Sequence, residues 1–322
     1  YARIATGIGD ATWLQRTVYQ WALKVGKKIA LQRTENPPVN FWLRIKGAMA
    51  RFFIYNKVMD IFGGRIRFMI SGAAPISPDI IHYFNWMGID VYEGYGMTET
   101  AGVISANRPG KVKIGSVGQA LPDTQIKIAE DGEICVKAPQ NISGYYKNKE
   151  ATDELLHPGK NGELWLHTGD VGHLDEEGFL FITDRKKDIL ITAGGKNVAP
   201  QNIENRLKTS PYVSQAMVYG DRKPYLTALI TLDEDEITKF ARDEKLLYQD
   251  QGDLSKKPEV VDLIDREVSI KNEDLASYET VKKFRILEED FDQDKDEITP
   301  TFKIRRKVIV EHYEDLLNGM YA

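Results

Sequence analysis

The stretch VYEGYGMTET at positions 91–100 concentrates side chains that suit the base, the phosphate and the metal ion of a nucleotide site. Tyr95 offers a ring for stacking on a base, and the two glycines beside it permit a backbone turn close to a flat ligand. The hydroxyl of Thr98 can reach a phosphate oxygen, and Glu99 offers the hard carboxylate oxygen that Mg²⁺ prefers. The stretch therefore predicts a nucleotide site, with a tight strand-to-helix turn as the alternative.

Two later segments offer contacts for a ribose. Asp170 ends the run LHTGD, and one carboxylate can accept hydrogen bonds from both ribose hydroxyls, although Thr-Gly-Asp is also common turn chemistry. The charged segment Asp184–Asp188 interrupts an apolar stretch. It predicts either an exposed turn or an interdomain linker that places Arg185 on the ribose.

Two segments near the end of the chain offer further contacts. The run AGGKNV at 193–198 is a plain β-turn or a backbone that approaches a narrow ligand, and it lacks the spacing of a phosphate-cradling loop. In the basic cluster 298–307, Lys303 is either a solvated charge or a point charge that neutralises negative charge developing in phosphoryl or adenylyl chemistry.

The elements that must position these residues follow an α/β pattern up to about residue 110. Apolar spacing predicts helices near 11–33 and 41–62, the second ending at a Gly-Gly pair. A strand at 65–70, a loop at 71–75, a helix from Ser77-Pro78 to about 87 and a strand at 88–92 follow. This order places the ligand loop outside the carboxyl ends of parallel strands.

The pattern changes after Pro109. Short alternating runs around Asp131-Gly132 and around the turn 175–178 predict hairpins and a β-rich, barrel-like subdomain. From about Arg185 the pattern predicts an α+β domain, with a solvated loop at 288–297. We therefore expect three segments, 1–110, 111–184 and 185–322.

Composition excludes several classes of protein. The net charge of −5 argues against a broad nucleic-acid surface, and the single cysteine, Cys135, excludes an internal disulfide and fits a reducing compartment. No apolar run approaches the roughly 20 residues that span a bilayer. We expect a cytoplasmic protein, with peripheral contact at the inner face of the membrane left open and the oligomeric state unknown.

The order and spacing of these segments resemble the long-chain fatty acyl-CoA synthetases. This family belongs to the AMP-forming acyl-adenylate superfamily, which also contains luciferases and peptide-synthetase adenylation domains. The resemblance covers essentially the whole chain and is carried by the stretches 91–100, Trp165–Asp170, Asp184–Asp188, Asn197–Pro200, Ile203–Asn205 and Thr299–Lys303. It implies a large α/β domain, with a parallel sheet and a barrel-like subdomain, followed by a small mobile α+β domain.

The resemblance also implies a reaction in two steps and a role for each matching residue. A fatty-acid carboxylate attacks the α-phosphate of ATP to give acyl-adenylate, and coenzyme A then displaces AMP. In the first step, the residues implied are Tyr95 with Gly94 and Gly96 at adenine, Thr98 at the α-phosphate, Glu99 at Mg²⁺, Asp170 and Arg185 at the ribose, and Lys303 as the adenylation lysine. Gly72 and Ala73 would border the acyl groove, Lys187 would be the hinge, and Gly194 and Gly195 would line the coenzyme A path.

One departure from the family pattern concerns the Ser/Thr/Gly-rich phosphate loop, which we do not find in the sequence. The chain also begins at Tyr1 without a methionine. We therefore expect the C-terminal portion of a longer synthetase, poorly active or inactive by itself. Two alternatives stay open: an acyl-AMP ligase that loads a carrier protein, distinguished by its product, and a non-catalytic adenylate-binding module, against which the presence of Lys303 counts.

Overall fold

A computed structural model describes residues 12–34, 38–159, 161–300 and 303–322 of the chain. The chain divides into two compact units, Tyr1–Ile182 and Thr183–Ala322. Each unit has its own buried apolar clusters. The three-segment division expected from the sequence stays a prediction.

Helices α1 to α4 contribute their buried side chains to one apolar cluster of the first unit. Their bounds are α1 Trp13–Thr34, α2 Phe41–Ala50, α3 Asn56–Ile61 and α4 Pro78–Trp86, with a π-helical turn at Arg51–Tyr55 between α2 and α3. The predicted second helix is thus continuous through a π turn, and it ends at two glycines with positive φ. The expected N-cap of α4 is confirmed, since the Ser77 hydroxyl accepts a hydrogen bond from the Asp79 amide.

The predicted helix α1 is confirmed, and one of its faces is buried. Tyr19, Ala22 and Val25 are buried, whereas Leu14 is exposed. Gly26 lies on the same buried face, where a Cβ would meet the carbonyl oxygen of Trp86 at 2.0 Å. Close packing of α1 on the end of α4 therefore determines which face of α1 is buried.

The first sheet of this unit is mixed. It has the order β1-β2-β3-β4, and only the pair β1–β2 is parallel. The strands are β1 Phe68–Ser71, β2 Asp90–Met97, β3 Gly102–Ala106 and β4 Gln119–Ala120. The expected parallel pairing is confirmed for β1 and β2. The next pair is antiparallel, because β2 is followed directly by β3, which runs back beside it.

The expected turn at Gly94–Gly96 is wrong, because both glycines lie inside β2. Gly94 pairs with Ala106 and Gly96 with Val103, with a register shift between Tyr95 and Gly96. A Cβ on Gly96 would lie 2.0 Å from the carbonyl oxygen of Gly102. Close approach of the neighbouring strand, and not a turn, is therefore what requires glycine at position 96.

The second sheet of the first unit has the order β5-β6-β8-β7, with β9 also paired to β8. Both predicted hairpins are confirmed: β5–β6 closes at Gly132, whose φ is +85°, and Asp175 caps the turn into β9 by accepting the amides of Glu177 and Phe179. The elements are β5 Gln125–Ile128, β6 Glu133–Lys137, α5 Lys149–Leu155, β7 Leu156–Pro158, β8 Leu164–Leu174 and β9 Leu180–Arg185.

The second unit is built on the sheet β12-β13-β14, antiparallel and then parallel. All seven residues of the central strand β13 are buried, because separate apolar clusters cover its two faces. The elements are β10 Leu190–Ile191, β11 Asn197–Val198, α6 Pro200–Leu207, β12 Val213–Tyr219, β13 Leu226–Leu232, α7 Glu234–Asp243, α8 Gln251–Leu254, α9 Pro258–Asn272, β14 Val281–Ile286, α10 Arg306–His312 and α11 Glu314–Gly319.

The expectation of a solvated loop at 288–297 is partly wrong. Phe291 and Glu297 are buried, and Asp290 accepts hydrogen bonds from the hydroxyls of Ser214 and Thr231. The many charged residues of this segment predicted a solvated loop, but one aromatic side chain in it is buried and two of its carboxylates bind other groups of the protein.

Candidate functional site

Tyr95 and Asp170 are 75 residues apart in the sequence and in direct contact in the structure. The Tyr95 hydroxyl donates a hydrogen bond of 2.5 Å to Asp170 Oδ2. The Tyr95 ring packs among Ile104, Ile134 and Leu180 and is only 8% exposed. This structure therefore describes the hydroxyl contact, and stacking of the ring on adenine stays a prediction.

Asp170 follows a sharp local bend inside β8. Gly169 has a φ of +70°, which favours glycine, and the β6–β8 register shifts between Glu133 and Cys135. The Thr168 hydroxyl donates to the Ile134 carbonyl and accepts from the Asp170 amide. The Thr168 side chain therefore ties the bend to β6 and to the residue that follows Gly169.

A single turn of 3₁₀ helix at Thr98–Thr100 places the next two predicted residues at the end of β2. The Thr98 side chain is exposed, and Glu99 Oε1 accepts a hydrogen bond of 2.7 Å from the Tyr145 hydroxyl. This bond raises the pKa of Tyr145 to about 12. Thr100 is buried and closes the turn, since its hydroxyl accepts from the Met97 amide.

The residues predicted to border an acyl groove adjoin the same strand. Gly72 and Ala73 follow β1 and are exposed, and a Cβ on Gly72 would lie 3.2 Å from the Gly94 carbonyl oxygen. Ala73 adopts a φ of +67°, which is unusual for a residue with a side chain. The structure thus brings this loop beside Gly94.

Three residues at this site were missed by the sequence analysis. Glu133 is buried between His167 Nδ1 at 3.0 Å and the Gly169 amide at 2.9 Å. Glu93 is buried and has an oxygen without a hydrogen bond; burial raises its pKa to about 7. For these two glutamates, the only signal in the sequence was a carboxylate within an apolar run. The third missed residue is Tyr145, the partner of Glu99, for which the sequence offered no signal.

In the second unit, Arg185 and Lys187 are exposed at the end of β9 and just beyond it. Asp184 is buried, so the alternative of a fully exposed charged turn is wrong at this residue. Its carboxylate accepts the amides of Arg185 and of Gln201, the latter in the first turn of α6, and burial raises its pKa to about 6. Asp184 thus fixes the backbone on which Arg185 stands.

The glycine pair at 194–195 forms the tight connection between β10 and β11. Gly195 has a φ of +72°, and its amide donates to the Thr192 carbonyl. No atom lies within 4 Å of the position that a Cβ on Gly195 would occupy. The loop is therefore a β-turn with an open outer surface, compatible with both interpretations of the sequence.

Lys303 is exposed on a loop closed by the bridge between Ile298 and Ile304. Its amide donates to the Thr299 hydroxyl, and its carbonyl accepts from the Thr299 amide. Thr301 and Phe302 of the predicted motif lie outside the described residues.

Buried carboxylates hold the two flanks of this loop. Before it, Glu297 accepts the Asp292 amide and faces His312 Nδ1 at 3.0 Å. After it, Arg306 is paired with the buried Glu204 at 2.7 Å.

The structure brings together the predicted residues of the first unit around β2 and β8: Gly72, Ala73, Gly94, Tyr95, Gly96, Thr98, Glu99 and Asp170. In the second unit, the predicted residues lie at three separate places: Arg185 and Lys187 at the end of β9 and just beyond it, the glycine pair between β10 and β11, and Lys303 on its loop. Joint binding of one ribose by Asp170 and Arg185 stays a prediction, since the two residues belong to different units.

Two further observations concern metals and membranes. Across the described ranges, no group of three or more His, Cys, Asp or Glu side chains is arranged to hold a metal ion. Of the helices that the structure describes, none has both the length and the apolar character needed to cross a membrane.

Two sequence relatives of this chain are named as a ligase or a synthetase that joins long-chain fatty acids to coenzyme A. It is 40% identical over 280 residues to the long-chain-fatty-acid–CoA ligase FadD15 of Mycobacterium tuberculosis, a match that covers 87% of this chain and 46% of the relative. It is 34% identical over 343 residues to the peroxisomal long chain acyl-CoA synthetase 7 of Arabidopsis thaliana, covering 100% of this chain and 47% of the relative. The chain therefore spans about half the length of these curated relatives.

Solved structures give the same fold. The adenylation domain of a carboxylate reductase from Mycobacterium chelonae matches with a TM-score of 0.67 and 22% identity, over 93% of this chain and 45% of that one. The O-succinylbenzoate coenzyme A synthetase of Bacillus subtilis, solved with ATP and magnesium, matches with a TM-score of 0.55 and 28% identity, over 75% of this chain and 46% of that one.

Two family descriptions match successive parts of the sequence. Residues 26–146 match the family described as AMP-binding enzyme, and residues 187–322 match the AMP-binding enzyme C-terminal domain. The first range contains the Tyr95 and Glu99 strand end, and the second contains the glycine turn and the Lys303 loop. The chain belongs to the AMP-binding enzyme family, as the stretch at 91–100 and the segments after it predicted.

Proposed function

We propose that this chain is part of an enzyme that activates a long-chain fatty acid with ATP and transfers the acyl group to coenzyme A. The observation that carries the proposal is the contact between Tyr95 and Asp170, with Thr98 and Glu99 at the end of the same strand β2. Groups suited to a ribose, a phosphate and a cation thus converge within one unit. The names of the relatives supply the substrate class.

In the first half-reaction, an oxygen of the fatty-acid carboxylate attacks the α-phosphorus of ATP, and the bond to pyrophosphate breaks. Asp170 orients the nucleotide by accepting hydrogen bonds from the ribose hydroxyls. The exposed hydroxyl of Thr98 donates to an α-phosphate oxygen. Lys303 places its ammonium group against the charge that develops on the α-phosphate, where fixed charge has its largest effect on the rate.

Glu99 is the residue that would hold Mg²⁺. A cation that takes one or two protein carboxylates and completes its shell with phosphate oxygens and water fits a site with a single glutamate. The bond from Tyr145 occupies one side of Glu99 Oε1 and fixes the direction of the carboxylate. When bound, the cation neutralises charge on the phosphates.

In the second half-reaction, the sulfur of coenzyme A attacks the acyl carbon, and AMP leaves with the bonding electrons of the acyl–oxygen bond. The open turn at Gly194–Gly195 offers backbone that a narrow pantetheine chain can approach closely. Lys187, exposed just after β9, is the proposed hinge for a rotation of the C-terminal domain that takes place between the two half-reactions. Gly72 and Ala73 border the acyl groove.

The adenosine part of the proposal is tested by calorimetric titration of the chain with a non-hydrolysable acyl-adenylate analogue, with AMP and with ATP and Mg²⁺. We expect binding of the analogue and of AMP, weakened about 100-fold in Asp170→Ala because hydrogen bonds to a charged group are lost. Asp60→Ala, a change at an exposed aspartate of helix α3 in the same unit, is the matched control and should bind as the unchanged chain does.

Two outcomes of this titration would contradict the proposal. One is an absence of binding by a chain whose circular dichroism spectrum and cooperative melting show that it is folded. The other is equal binding by the unchanged chain and by Asp170→Ala, which would place the adenylate elsewhere.

A further inference from the structure

Glu133 joins the hairpin β5–β6 to the bend that carries Asp170. Its side chain is 10% exposed, and its backbone amide donates to Asp131 Oδ1. Its Oε1 accepts the Gly169 amide at 2.9 Å, and its Oε2 lies 3.0 Å from His167 Nδ1. One carboxylate therefore contacts both His167 and Gly169, the residues on either side of Thr168.

The next residue of β6 completes the attachment. The Ile134 carbonyl accepts the Thr168 hydroxyl, which in turn accepts the Asp170 amide. The peptide on each side of the positive-φ residue Gly169 is thus held by β6. The Glu133 carboxylate thus restrains the Gly169 amide directly, and hydrogen bonds to an ionised acceptor are the stronger ones.

These bonds determine where the Asp170 carboxylate points. Its backbone is fixed by Glu133 and Thr168, and its Oδ2 receives the Tyr95 hydroxyl. A carboxylate that must accept two ribose hydroxyls has to be held within a fraction of an ångström, because misplaced acceptors lose hydrogen-bond energy steeply. Supporting contacts of this kind determine how well a binding residue is preorganised.

We infer that Glu133 is a positioning residue for the ribose: it holds the Gly169 bend so that Asp170 faces both hydroxyls. The inference rests on the proposed function, since it takes Asp170 as the ribose acceptor. Glu133 itself has no contact with the nucleotide in this assignment. A purely structural role, which would only keep the β5–β6 hairpin in place, predicts no selectivity for the ribose hydroxyls.

The test compares the binding of AMP and of 2′,3′-dideoxy-AMP by calorimetry. In the unchanged chain, AMP should bind more tightly, and Asp170→Ala should abolish the difference. Glu133→Gln should reduce the ratio of the two affinities about tenfold while leaving the affinity for the dideoxy nucleotide unchanged. The matched control is Glu130→Gln, since Glu130 is exposed in the loop of the same hairpin.

A second variant covers the case in which Glu133→Gln does not fold. Thr168→Val keeps the shape of the side chain and removes only the hydroxyl that bonds Ile134 and Asp170. It should reduce the same affinity ratio severalfold.

The outcomes separate the inference from the proposed function. The positioning role is overturned if Glu133→Gln lowers the affinity for both nucleotides equally or leaves both affinities unchanged. If Glu133→Gln does not fold, the role is overturned when Thr168→Val keeps the full ratio of the two affinities. If the folded, unchanged chain binds neither nucleotide, the proposed function of this site fails, and the inference fails with it.

Discussion

The bend at Asp170 and the loop at Lys303 carry the two ends of the proposed chemistry, and they are built in opposite ways. Asp170 is buried, and side chains from two other strands bond to it and to its neighbours. Lys303 is exposed, and its loop is closed by backbone and threonine contacts of its own. The first region supplies fixed acceptors, whereas the second supplies a charge on an exposed loop with firm flanks.

This difference separates two kinds of residue by what their removal should change. A substitution around Asp170 should alter folding stability and binding together, because the same hydrogen bonds support both. A substitution at Lys303 should alter the rate far more than the stability, because substitutions at exposed positions usually change stability by about 0.5 kcal/mol or less. The predictions below test this separation.

The largest expected effect is that of Lys303→Ala on adenylation, measured in a full-length synthetase that contains this chain. Loss of a cation aimed at developing phosphate charge costs about 100- to 1,000-fold in rate, while the melting temperature should change by less than about 1 °C. Pyrophosphate exchange measures the first half-reaction, and acyl transfer from supplied acyl-adenylate measures the second, which should be largely preserved. Lys282→Ala, at another exposed lysine of this unit, is the control. Equal loss of both half-reactions would refute the role of Lys303.

A smaller effect, on stability alone, is expected at the flank of the same loop. Arg306→Ala leaves the buried carboxylate of Glu204 without its guanidinium partner, which should destabilise the protein by about 3 kcal/mol. Chemical denaturation measures the loss. Lys307→Ala is the matched control, because Lys307 is the next residue and its side chain is 91% exposed. A loss below about 1 kcal/mol would show that the flank is not held by this pair.

The two regions also differ in what the sequence could reveal. At Lys303 the motif pointed to one residue directly, whereas the segment before it was predicted only in part, because Phe291 and Glu297 are buried there. At Asp170 the sequence named Tyr95 and Asp170 separately, but nothing local indicated that they meet across 75 residues. That contact depends on sheet order and on the register shift between β6 and β8, which are tertiary properties.

The error at Gly94–Gly96 has the same origin. Glycine in a short motif suggested a turn, since turns are its commonest local use. The actual constraint is the carbonyl of Gly102 on the adjacent strand, and strand pairing is not visible in ten residues of sequence. Glu133 and Glu93 were missed for a related reason, because burial of a carboxylate is decided by residues distant in the chain.

The smallest expected effect concerns Glu93 and depends on pH. Burial raises the pKa of Glu93 to about 7 from 4.5, so the folded state favours the protonated form. The stabilising contribution of that form is complete below about pH 4.5 and is lost as the pH rises to about 7. Since one pKa unit corresponds to about 1.4 kcal/mol, Glu93→Gln should be more stable than the unchanged protein at pH 8 by at most about 3 kcal/mol.

The measurement is chemical denaturation of both proteins at pH 5.5 and pH 8, with Glu176→Gln, at an exposed carboxylate, as the control. The advantage of Glu93→Gln should be larger at pH 8 than at pH 5.5, because glutamine carries no charge to bury at either pH. Parallel stability profiles would mean that the Glu93 carboxylate is compensated in the folded protein. Glu93 would then be as fully paired in β2 as Glu204 is beside the Lys303 loop. The Asp170 region and the Lys303 region would differ only in how exposed their functional side chains are.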